Sequence, residues 1–113
     1  MTEEKNIAIA EMLGWKFLST MPENVITDLK KEHHSLHNLK FHLDANWQFE
    51  ALKKTMVYTL MKKGSTFNDK WFVCTIKEYN ETTGNKIFIA EGVDENEAIF
   101  EALYQFSQYI KSL

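Results

Sequence analysis

The chain has 113 residues, 44% apolar and 13% aromatic, enough for a single domain (1–113) with a sizeable core. Its one cysteine, Cys74, excludes an internal disulfide and any cysteine-cluster zinc site. The net charge of −3 is unevenly spread, with residues 1–29 at −3, residues 30–70 at +4 and residues 71–113 at −4.

All thirteen basic residues are lysine. The bidentate fork that arginine offers to phosphates and base edges is missing, which argues against base-specific nucleic-acid recognition. No stretch approaches the ~20 apolar residues that span a bilayer. The opening MTEEKN is acidic and has no apolar signal core, so the expected location is the cytoplasm.

The first helix is expected over about Glu3–Leu13, capped by Thr2, favoured by Glu3 and Glu4 at its positive end and stopped by Gly14. Trp15–Leu18 reads as a short strand closed by Pro22. Residues 23–38 are the least legible: Val25–Leu29 fits a short strand or a helical turn, and LKKEHHSLHN is polar. Leu39–Leu43 alternates and reads as a strand.

A second helix is expected from the N-cap Asp44 to about Met61, with Phe49, Leu52, Met56 and Leu60 recurring at helical spacing. Lys62, Lys63 and Gly64 look like its C-terminal signature, which would make it a rod of roughly 28 Å. Lys70–Tyr79 and Lys86–Val93 form a hairpin around Asn-Glu-Thr-Thr-Gly-Asn, with Gly84 suited to positive φ. Both strands are apolar on both faces, so helices are expected over part of each. The last helix starts at Asp94 with Glu97 in a capping-box arrangement. Ile99, Leu103, Phe106 and Ile110 are its core stripe, and Phe100 with Tyr104 make a second stripe, packed on the Trp15 region or exposed for interaction.

The order α-β-(β)-β-α-β-β-α predicts an α+β fold, an αβα-type sandwich in which three helices pack an antiparallel sheet of about four strands. The chain resembles the phage ABA sandwich type of small domain. The likeness rests on Ile7–Leu13 followed by Gly14-Trp15, on Leu39-Lys40-Phe41-His42 leading to Asn46-Trp47-Gln48-Phe49, and on a closing hairpin (Lys70–Val93) and helix (Asp94–Lys111). Residue detail covers about half the chain. Residues 20–38 are longer and more charged than the pattern, and Ala45-Asn46 replaces a more aromatic helix start. The resemblance implies αβα layering and a phage or mobile-element origin, and it implies no reaction, no cofactor and no site residue.

His33, His34 and His37 beside Glu32 raise zinc binding, because His33 and His37 would share a helix face. The order EHHSLH is not HExxH and no third ligand follows at a diagnostic spacing, so a solvated polar loop is expected and no metal is assigned. Glu95, Glu97 and Glu101 are accounted for by the start of the last helix rather than by acid–base catalysis. There is no P-loop, dinucleotide glycine motif or nucleophile elbow.

Lys30, Lys31, Lys40, Lys53, Lys54, Lys62 and Lys63 could track a phosphate backbone. The closing hairpin and helix are loosely similar to a double-stranded-RNA-binding domain. That domain has lysines where this chain has Asp94, Glu95 and Glu97, so the lysine face reads as solvated. The expected function is therefore that of a non-enzymatic accessory protein acting through a protein partner or a second copy of itself. The candidate surface is Trp47, Lys53, Lys54, Phe100 and Tyr104. The alternative is a nucleic-acid-binding regulator using Lys30–Lys63.

Overall fold

The structure is a computed structural model and describes residues 2–17, 25–62 and 71–113. Helix α1 (Thr2–Met12) leads to strands β1 (Lys16–Phe17), β2 (Val25–Thr27) and β3 (His33–Ser35), then a 3-10 turn at Leu36–Asn38. Helix α2 (Ala45–Leu52), strands β4 (Val57–Lys62), β5 (Phe72–Asn80) and β6 (Gly84–Gly92), and helix α3 (Glu95–Ser112) follow. The class is α+β. Two antiparallel three-stranded sheets, β1-β2-β3 and β4-β5-β6, replace the single sheet of about four strands.

Local signals set most of the boundaries. Gly14 adopts φ +90°, Trp15 N donates to Ala10 O and Gly14 N to Glu11 O, which is the Schellman closure of a helix. The Asp44 carboxylate accepts from Asn46 N and, at longer range, Trp47 N at the start of α2. Asp94 accepts from Glu97 N while the Glu97 carboxylate accepts from Val93 N, so the expected capping arrangement forms. At the hairpin, Asn80 accepts from Thr82 N and Thr83 N, and Gly84 takes φ +78°.

The long second helix does not form. α2 stops after eight residues in a turn where both the amide and hydroxyl of Thr55 donate to Leu52 O. Val57-Tyr58-Thr59 is a β-branched and aromatic run that pairs with β5, Val57 opposite Lys77 and Lys62 opposite Phe72. Leu52, Met56 and Leu60 fit both a helical and a strand reading, and the free β5 edge decides in favour of the strand. Lys62 is in β4, whereas Lys63 and Gly64, like Leu18 and Pro22, lie outside the described residues.

Leu39–Leu43 is not a strand either. Its backbone turns, Leu43 N and Asp44 N both donating to Lys40 O, and it sinks Leu39 and Phe41 into the core. Lys30 and Lys31 form the β2–β3 turn, and the polar segment beyond them supplies β3.

Helix α3 organises the core. One side, with Ala98, Ala102 and Phe106, packs on β5 and β6, and the Phe106 ring meets Phe88 edge-on at 5.9 Å. The small residues permit close approach. A Cβ on Gly92 would come within 2.4 Å of Ala98 N, so this strand-to-helix turn requires glycine. The other side of α3 packs on α1, where Phe100 is buried near His42 and Tyr104 sits beneath the Lys5 ammonium. The Phe100–Tyr104 stripe thus packs on the α1 side of the helix, with His42 and Lys5 as neighbours.

Buried Gln48 joins three segments. Its amide nitrogen donates to Phe41 O (2.8 Å) and Asn96 O (2.9 Å), tying α2 to the preceding turn and to the start of α3. Gln48→Glu keeps the shape but aims acceptors at two carbonyls. Urea unfolding should show a loss of at least about 3 kcal/mol, more than for Gln48→Leu.

Candidate functional site

Among the described residues, no helix packs on the face of the β4-β5-β6 sheet turned away from α3. Inward positions alternate with outward ones, and Cys74, Ile76 and Ala90 are buried on the α3 side. Outward positions fall into rows across the sheet, Val57–Lys77–Ile87, Thr59–Thr75–Ile89 and Met61–Val73–Glu91. Tyr79 opposite Asn85 extends the face at one end. Trp71, whose amide donates to Gly92 O, extends it with Val93 at the other.

Seven of the fourteen large apolar side chains exposed among the described residues lie here: Val57, Met61, Trp71, Tyr79, Ile87, Ile89 and Val93. All are between 47% and 65% exposed, so they form one patch rather than scattered apolar residues. Among the described residues, the expectation that helices cover part of both sheet faces is therefore corrected for this sheet. α3 packs on one side only, and its own far side is occupied by α1.

A second feature is an aromatic groove of about 560 Å³ between α2 and the small sheet, with Trp15, His34, Phe41, Trp47 and Phe49 on its walls. Trp47 is half-buried and meets Phe41 at 5.1 Å, His34 at 5.3 Å and Trp15 at 5.6 Å between ring centres. Such edge-on contacts contribute about 0.5–1.5 kcal/mol each beyond area burial. Packing thus accounts for Trp47.

The His34 ring stacks on Trp15, and its Nε2 donates to the Asp28 carboxylate at 2.9 Å. The other Asp28 oxygen accepts from Lys30 N and Glu32 N, which closes the β2–β3 turn with Lys31 at φ +71°. Burial would raise the Asp28 pKa, but the His34 bond and the two amides outweigh it and hold the carboxyl below its ordinary 3.8. Asp28, Glu32 and His34 present donor atoms within 4.8 Å of one another, one imidazole and two carboxylates that could hold a divalent cation. Asp28 and His34 are already each other's partners.

The histidines of the sequence motif separate. His33 lies 3.0 Å from the Thr27 hydroxyl, His37 pairs with Glu3 at 3.3 Å, and His42 accepts from the buried Asn6 amide at 2.9 Å. His33 is in β3 and His37 in the 3-10 turn, so the shared helix face expected of a His33–His37 pair does not form.

The five candidate surface residues are also divided. Lys53 pairs with Glu50 at 3.0 Å and lies over the Phe49 ring, and Lys54 borders the groove. Phe100 is 5% exposed and is core, while Tyr104 is half-buried against α1. The outward residues of β4 and β6 were absent from that set. Their signal was present in the two-faced apolar strands and in the β-branched run at Val57. Cys74 is fully buried and burial pushes its thiol up to about 11, which removes it as a nucleophile.

Among the described residues, no helix is long and apolar enough to cross a membrane. No known protein family, curated protein or solved structure matches the chain.

Trp47→Ala should lower unfolding stability by about 2–3 kcal/mol in denaturant titrations, because the rings of Trp15, His34 and Phe41 lose a shared neighbour. A lowered carboxylate pKa stabilises the fold above the unfolded value of 3.8, and that contribution is lost as pH falls through the folded value. Asp28→Asn should therefore be less stable at neutral pH and lose less stability between about pH 5 and pH 2.

Proposed function

We propose that this protein is a non-enzymatic binding module whose docking surface is the open face of β4-β5-β6. The observation that carries the reading is the run of half-exposed Val57, Met61, Trp71, Tyr79, Ile87, Ile89 and Val93 on one flat face. Seven half-exposed side chains of this size present on the order of 700 Å² to water, since an aromatic ring alone contributes roughly 150–250 Å². That exceeds the few hundred Å² usual for an apolar patch on a monomer. It approaches the ~800 Å² that each partner buries in a stable complex. The resemblance to phage sandwich domains supports the setting, a cytoplasmic accessory protein of a phage or mobile element.

The nucleic-acid reading ranks second. Lys30 and Lys54 both border the aromatic groove, but Asp28, Glu32 and Glu50 border it too, so this part of the basic segment offers a phosphate no net attraction.

Ile87→Lys tests the docking face. The side chain is 58% exposed, so stability should change by less than about 0.5 kcal/mol. Binding of a hydrophobic dye such as anilinonaphthalene sulfonate should fall sharply. Unchanged dye binding would count against the face. Retention of DNA or RNA in a low-salt mobility shift would favour the nucleic-acid reading instead.

A further inference from the structure

We propose that Asp28, Glu32 and His34 bind a divalent transition-metal ion, Mn²⁺ or Zn²⁺, in the wall of the aromatic groove. The site is independent of the β4-β5-β6 face, because all three residues belong to the β2–β3 hairpin. The hairpin itself brings the donors together. Asp28 N donates to Glu32 O at 2.9 Å, and Glu32 N donates to an Asp28 carboxylate oxygen at 3.0 Å. The two acids are thereby paired across the turn. Glu32 stands at the entry to β3, two residues before His34, so strand alternation turns both side chains the same way.

The existing Asp28–His34 hydrogen bond is the seat of the ion rather than its competitor. His34 Nε2 and Asp28 Oδ2 lie 2.9 Å apart. Two donors at right angles on one cation, each ~2.1 Å from it, are separated by ~3.0 Å. The ion takes the place of the proton on that bond, and neither side chain has to move far. A neutral His34 then carries its proton on Nδ1, and a protonated one releases the Nε2 proton to water. Both ligands are held in position beforehand. Asp28 Oδ1 accepts from Lys30 N and Glu32 N, and the His34 ring stacks on Trp15 at 5.1 Å. The Glu32 carboxylate is the third donor, within 4.8 Å of the other two, and rotation of its exposed side chain closes the gap. Charge favours the same ligand. Asp28, Glu32 and Glu50 border the groove against Lys30 and Lys54, and a cation offsets the excess of acid. One imidazole with two carboxylates suits Mn²⁺ or Zn²⁺, whereas Cu⁺ prefers sulfur and Ca²⁺ an all-oxygen shell. The positions left on the ion go to water or to an oxygen-bearing ligand in the groove.

Calorimetric titration of the full, untagged chain with Mn²⁺ and with Zn²⁺ is the test, alongside thermal unfolding in each ion. The variants are Glu32→Gln, His34→Gln and, as a control, His33→Gln. Wild type should bind one ion per chain and unfold at a higher temperature with it, because the unfolded chain does not hold the three donors together. Glu32→Gln removes a charge from an exposed side chain, so the metal-free fold should keep its unfolding temperature while the Kd rises about tenfold or more. His34→Gln should abolish binding, and His33→Gln should leave it unchanged. No binding of either ion to wild type would overturn the site. So would binding that Glu32→Gln leaves intact, even if His34→Gln removes it, because two donors already partnered would then be acting alone. Binding lost in His33→Gln and kept in His34→Gln would mean only an adventitious surface histidine, and would overturn it as well.

Discussion

Helix α3 is buried on two sides, and the rest of the fold depends on that constraint. Its sheet side packs on β5 and β6, and its back receives α1. Neither side works without small or specific residues. Gly92 admits the start of the helix against the strand, and Ala98 and Ala102 keep the two elements close. Gln48 then fastens the N-terminal part to the same helix by donating to Asn96 O and Phe41 O from a site only 1% exposed. Two charge-free hydrogen bonds in a low-dielectric setting fix the angle at which α2 meets α3, where a looser apolar contact would leave it free.

The same constraint explains the open sheet face. One helix cannot cover both sides of a sheet, and α1 is occupied behind α3 rather than across from it. β5 and β6 nevertheless carry apolar residues on both faces. Among the described residues, no helix packs on the outer set, and its clustering is the reason to look for a partner there. The aromatic groove is a different kind of object. Trp15, His34, Phe41 and Trp47 satisfy one another, and Asp28 closes a turn while orienting His34. Its chemistry is explained largely by the need to pack α2 on a sheet of two- and three-residue strands.

The candidate site was legible in part. Two-faced apolar strands were visible in Lys70–Tyr79 and Lys86–Val93, but the inference drawn from them, helices on both sides, did not survive. A sequence states that a face is apolar and not what covers it. The third strand was hidden because Leu52, Met56 and Leu60 satisfy helical spacing, while the β-branched Val57 and Thr59 pointed the other way. Phe100 and Tyr104 were identifiable as a second stripe, yet only the position of α1 shows that the stripe is interior.

By itself, the sequence determined the features decided within about five residues. Gly14 ends α1, Asp44 begins α2, Asp94 and Glu97 open α3, and Asn80 with Gly84 turns the hairpin. Each depends on a local hydrogen bond or an allowed φ, so neighbouring residues suffice. The tertiary structure decided whether 57–62 is helix or strand, which sheet face meets α3, and where His34 and Trp47 meet. Those outcomes turn on partners far along the chain. Val57 pairs with Lys77 and Gln48 reaches Asn96, and the energy that selects them comes from burial that no local pattern encodes.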